Sequence, residues 1–117
     1  MGLDQWLYAE KDGKETEEVA YWRKHPNLHG FMESLWAEKG KPGDSNEGFN
    51  GVHLYLDEAY ISRAEDAVKK EELPRTRGYF FGVSRINEDQ QAEDLDALAQ
   101  ARGWLNKGYK VFYDSWW

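Results

Sequence analysis

Five apolar residues after Pro26 (Leu28, Phe31, Met32, Leu35 and Trp36) are spaced i, i+3, i+4, i+7, i+8. That spacing makes one side of a helix greasy, and such a stripe is stable only against another apolar surface. Proline disfavours the helical conformation in the residue before it, so His25 is expected at the N-cap and Pro26 at the first helical position. Gly40 is a natural stop, which places the helix between Pro26 and about Lys39. The neighbouring segments must supply the surface it covers.

They read as strands. LDQWLYAE alternates, with Leu3, Gln5, Leu7 and Ala9 on one face and Trp6 and Tyr8 on the other. DGKETEE turns the chain, and VAYWRK is a second extended run. GKPGDSNEGFNG, rich in Gly, Asn, Asp and Pro, is expected to be a loop and the most mobile segment. VHLYL follows as a strand, and Asp57 is placed to cap a helix from about Glu58 to Glu71 with Tyr60, Ile61, Ala64, Ala67 and Val68 inward. GYFFGVS is a further β-forming run. Asn87 with Gln90 forms a capping-box-like start for a helix to about Asn106, ended by Gly108. YKVFYDSWW, extended and aromatic, is expected to return to the same sheet. The expected fold class is α+β, with α/β as the alternative: one domain over residues 1–117, with one sheet of about four or five strands and about three helices on one face.

The 117 residues allow a core that hides roughly two-thirds of the unfolded chain's surface. There are no cysteines, so no disulfide, thiolate zinc site or cysteine nucleophile is available. Six Trp, seven Tyr and five Phe against two Met mean that rigid rings must build much of the core. A net charge of −7 and a pI near 4.9 argue against nucleic acid as a partner, because phosphate backbones attract basic surfaces. No apolar run approaches membrane-spanning length, so no membrane partner is expected. MGLDQWLYAEKDG lacks the basic and apolar regions of a signal peptide, and Trp6 stands where myristoylation favours Ser or Thr. A cytoplasmic location is expected.

The chemically busy stretch is YWRKHPNLHG. Arg23 and Lys24 stand beside a helix N-terminus, a place suited to a carboxylate or phosphate. Asp4, a carboxylate inside an apolar strand, is the first candidate to pair with a buried Arg23, and Asp114 the second. His25 and His29 are four apart, yet without a third ligand they make no metal site: a capping or surface His25 and a rim His29 are expected. The expected ligand pocket therefore joins Asp4, Trp22, Arg23, Lys24 and His29, walled by Trp22, Phe80 and Trp116, with no cofactor and no metal. No serine lies in a nucleophile elbow, and GYFFG is no phosphate loop, so no catalytic residue is assigned. The acidic run EDQQAEDLD reads as a solvated helical face.

Four segments together, GLDQWLY, VAYWRK with His29 downstream, LPRTRGYFFG and FYDSWW, resemble a family of small uncharacterised proteins of tailed phages and prophages. The positions that carry the resemblance are Gly2, Leu3, Asp4, Leu7, Tyr21, Trp22, Arg23, Lys24, His29, Leu73, Pro74, Gly78, Phe80, Phe81, Gly82, Tyr113, Ser115 and Trp116. Arg75 after Pro74 and the His25-Pro26 pair depart from the family's pattern. The resemblance implies a phage accessory protein at work in the host cytoplasm and assigns it no reaction. The reading that follows is a non-enzymatic binding module for a small anionic ligand or a host-protein segment. The alternatives are an acidic nucleic-acid mimic that inhibits a host protein, and a small hydrolase with His29 as general base oriented by Asp4. The aromatics of the last strand leave both monomer and homodimer open.

Overall fold

A computed structural model describes residues 3–41, 48–73, 77–78, 82–83 and 88–116. In chain order the elements are β1 (Asp4–Glu10), β2 (Glu17–Arg23), α1 (Pro26–Glu38), β3 (Leu54–Leu56), α2 (Glu58–Lys69), β4 (Arg77–Gly78), β5 (Gly82–Val83), α3 (Glu88–Asn106) and β6 (Lys110–Trp116). Four strands form one antiparallel sheet in the order β2-β1-β6-β3, so with three helices the fold is α+β.

The terminal strand enters the middle of this sheet, between β1 and β3. Alternation then sorts its residues. Val111, Tyr113 and Ser115 join Leu7, Ala9, Leu54 and Leu56 on the inner face, where all are buried. The helices cover that face with Leu28, Met32, Leu35 and Trp36 from α1, Ile61, Ala64 and Val68 from α2, and Ala97, Leu98 and Ala101 from α3. The apolar stripe of α1 is thus seated on the sheet, although its Phe31 is only partly buried.

The local signals act as their chemistry requires. Pro26 stands at the start of α1 with His25 as N-cap. Asp57 caps α2 by accepting the Tyr60 amide at 2.9 Å. Helices α2 and α3 are clasped by Arg102, whose guanidinium donates to Glu58 (2.5 Å), to both carboxylate oxygens of Glu65 (2.7 and 2.5 Å) and to the Ser62 hydroxyl (3.0 Å).

Two expectations are corrected. The described residues of the GYFFGVS run, Gly78, Gly82 and Val83, add no strand to the main sheet: β4 and β5 pair with each other in a separate two-stranded sheet, and residues 79–81 and 84 lie outside the described residues. In the loop after α1, Phe49 is packed into the core. Phe49 is buried, stacked on Trp36 at 4.9 Å and on Tyr113 at 5.8 Å, because its ring fills the space between helix and sheet. Residues 42–47 of that loop, and Asn87 of the expected capping box, lie outside the described residues. Among the described residues no helix is long and apolar enough to cross a membrane.

Candidate functional site

The described residues among those expected to share a pocket do not converge: they divide between the two sides of the sheet. Asp4 on β1 pairs laterally with Arg23 on β2 and with Trp116 on β6, so these three form one row on the outer face. Trp22 and His29 are buried on the inner side. Lys24 is exposed in a left-handed conformation (φ +56°), where its amide donates to the Leu3 carbonyl at 2.8 Å. Phe80 lies outside the described residues.

The expected burial of Arg23 is overturned. Its side chain is exposed on an edge strand and makes no ion pair among the described residues. Water solvates a guanidinium there at no cost, so nothing forces it against a carboxylate. Asp4 instead accepts the Tyr21 phenol at 2.6 Å, and Asp114 lies 3.5 Å from His53 Nε2.

What the sheet and helices do bury together is a chain of polar side chains that the sequence reading left unassembled. Asp94 on α3, almost wholly buried, accepts the Trp22 indole N–H (2.8 Å) and the Gln90 amide (2.9 Å) on one oxygen. Its other oxygen meets His25 Nε2 at 2.8 Å, so that nitrogen carries the proton. Gln5 then links strand to helix: its oxygen accepts the His25 amide at 2.9 Å while its nitrogen donates to the His25 carbonyl and the Tyr113 hydroxyl, both at 3.1 Å. The Tyr113 hydroxyl continues to His29 Nδ1 at 2.7 Å. Apart from the half-buried Gln90, these side chains lie in the interior, where an unmade bond is costly, and each makes at least one of these bonds.

Burial decides what this chain of bonds can do. It lowers the His29 pKa to about 4, and it pushes the Tyr113 phenol above the ordinary tyrosine range. His29 is therefore a neutral, wholly sequestered ring, neither a rim residue nor a general base oriented by Asp4, which lies on the opposite side of the sheet. His25 is likewise a buried bridge to α3 and makes no side-chain cap. Among the described residues no cluster of His, Cys, Asp and Glu is arranged to hold a metal ion. The acidic run is also interrupted: Asp94 turns inward and Asp96 accepts Gln100 at 2.7 Å.

The accessible chemistry lies on the outer face. Cross-strand register arranges it in rows, Arg23–Asp4–Trp116, then Tyr21–Trp6–Asp114, then Glu18–Tyr8–Phe112–Tyr55, then Glu10–Lys110. The rings touch: Trp6 lies 5.7 Å from Tyr21 and 6.3 Å from Tyr8, and Phe112 lies 5.4 Å from both Tyr8 and Tyr55 and 4.3 Å from His53. None of these rings belongs to the core cluster. Tyr21, Tyr55 and Trp116 are 49%, 40% and 59% exposed. Carboxylates hold the layer at both ends, Asp4 accepting Tyr21 and Glu10 accepting Tyr55 at 2.5 Å.

An open groove of about 420 Å³ at the Glu10 end is lined by Lys39, Tyr55, Leu56, Asp57, Leu105 and Tyr109, with Lys110 and Val111. It is not the expected cationic pocket. The Lys39 ammonium already donates to the Tyr55 carbonyl and lies over the Tyr60 ring, and Asp57 adds a carboxylate to the wall.

Comparison with family models, with curated proteins and with solved structures gives no match. The site therefore rests on its geometry. Of the interior residues, Asp94 was legible in principle: it stands three, four and seven positions before Ala97, Leu98 and Ala101, in line with the buried stripe of α3. The outer layer carries a period-two signal, Trp6 and Tyr8 on one strand and Phe112, Asp114 and Trp116 on another.

Proposed function

We propose that the protein is a non-enzymatic binding module that docks a segment of another protein on the outer face of its sheet. The observation that carries this reading is the aromatic layer of Trp6, Tyr8, Tyr21, Tyr55 and Phe112, which is separate from the core cluster between sheet and helices and keeps Tyr21 and Tyr55 exposed around a buried Phe112. Rings are large, rigid and cheap to order, so a contiguous set with hydroxyls and carboxylates at its margin is a recognition surface. The alternative sites are less suited to a partner: the interior network is closed, and of the groove's two lysines Lys39 is already bonded.

The resemblance to phage accessory proteins supports a host protein as the partner, with the host cytoplasm as the place of action. The test is a photo-crosslinking amino acid placed at Tyr21 or Tyr55, and for comparison at Ala92 or Ala99 on the exposed side of α3. Crosslinks to one and the same host protein from both outer-face positions and from neither α3 position are expected. Equal crosslinking from α3, or none from the sheet, overturns the reading; a crosslink between two copies of the chain reassigns the face to self-association.

A further inference from the structure

Resting on that reading, we infer that Trp6 and Asp114 form a subsite for an arginine side chain presented by a basic segment of the partner. Asp114 lies on the central strand β6, across from Trp6 on β1 and two residues from both Phe112 and Trp116. Its carboxylate is about one-fifth exposed (22%), so a partner can reach it. One oxygen accepts the adjacent Ser115 amide at 2.9 Å, and among the described residues the other has His53, itself half exposed and 3.5 Å away. Burial raises the carboxyl above the usual aspartate range, so the ionised form is under-compensated in the free protein.

The chemistry selects a guanidinium. Its plane stacks on an indole, and its forked N–H groups meet both oxygens of a carboxylate, so one side chain satisfies Trp6 and Asp114 at once. An ammonium offers a point charge and a neutral side chain offers none. The wider face has the complementary sign: Asp4, Glu10, Glu18 and Asp114 stand against Arg23 and Lys110 in its rows. Asp4 and Glu10 are already engaged by Tyr21 and Tyr55, and Glu18 is solvated on the edge strand β2, so Asp114 is the part-buried carboxylate in the middle of the layer, with His53 at 3.5 Å across from it.

The experiment measures binding of two labelled pentapeptides, Gly-Arg-Gly-Arg-Gly and its citrulline counterpart, which keeps the shape and removes the charge. Four proteins are compared: the natural chain, Trp6→Leu, Asp114→Asn and, as a charge-matched control, Asp66→Asn on the exposed side of α2. Each is first shown to keep its thermal transition. The arginine peptide should bind at least about tenfold more tightly than the citrulline peptide, and more weakly in high salt. Asp114→Asn should abolish the difference, Trp6→Leu should weaken the arginine peptide by about tenfold, and Asp66→Asn should change nothing. Equal affinity for the two peptides, no binding of either, or discrimination that survives Asp114→Asn overturns the inference. Crosslinking at Tyr21 and Tyr55 is read separately, so the docking face stands if only the arginine subsite fails, and falls if the crosslinks themselves are absent.

Discussion

Replacing Asp94 by alanine removes the acceptor at which β2, α1 and α3 meet. Three donors lose this acceptor: the Trp22 indole, His25 Nε2 and the Gln90 amide. Trp22 and His25 are buried and cannot turn to water, so each stranded donor costs about 1–3 kcal/mol, whereas Gln90 is half-buried and can be rehydrated. The carboxylate's own desolvation is relieved, which offsets part of the loss. A net destabilisation of about 3–4 kcal/mol remains, equivalent to a fall in Tm of about 10–15 °C for a domain of this size. Asp94→Asn separates charge from shape: its oxygen still accepts Trp22, but its amide must donate to His25, which forces the other imidazole tautomer. That variant should lose only about 1–2 kcal/mol. Urea denaturation gives both values, and the indole N–H resonance of Trp22 should lose its exchange protection in the alanine variant. If Asp94→Ala stays within about 1 kcal/mol of the natural chain, the network is not what holds α3 to the sheet.

Because His29 has a folded pKa of about 4 against an ordinary value of 6.5, the unfolded state binds more protons between those values, and stability must fall as pH drops through that window. The difference between the natural chain and His29→Gln should shrink by about 3 kcal/mol from pH 7 to pH 4, and an imidazole titrating near 6.5 by NMR would contradict it. Arg102→Ala should cost about 1–2 kcal/mol by opening the α2–α3 clasp, a loss that high salt reduces; an unchanged urea midpoint would show the clasp to be ornamental. Gly51→Ala should cost about 1–2 kcal/mol, since its φ is +70° and a Cβ would meet the Trp116 ring at 3.3 Å; a thermal shift of under a degree would refute this.

Much of the fold was legible because local chemistry and long-range packing agree. The alternation of β1, the proline start of α1, the Asp57 cap and the glycines after α1 and α3 each state one element's limits, and the structure uses them. The site was not legible in the same way. Arg23, Lys24 and Asp4 are adjacent in sequence and register, but adjacency says nothing about whether water reaches them, and on an edge strand it does. Asp94 failed for the opposite reason. Its neighbours Glu93 and Asp96 face solvent, so charge density suggested a wet surface, while the helical period of the nearby Ala97, Leu98 and Ala101 pointed inward. Where charge and period disagree, the period carries the geometric information, because burial follows the stripe and a polar residue within it must find partners.

The two polar systems stay separate because β6 serves both. It is a central strand, flanked by β1 and β3, so each of its side chains is committed to one face by parity alone. Tyr113 and Ser115 point inward, and Tyr113 bonds the interior chain of Gln5 and His29. Phe112, Asp114 and Trp116 point outward to Tyr8, His53 and solvent. A shift of register by one residue would place Asp114 in the core and Tyr113 on the surface, stranding a carboxylate inside and leaving Gln5 and His29 without the hydroxyl they share. The interior hydrogen bonds therefore do more than stabilise: they fix the register that presents Trp6 beside Asp114. The arginine subsite proposed above requires that lateral alignment, and the buried Tyr113 hydroxyl is what a slipped strand could not replace.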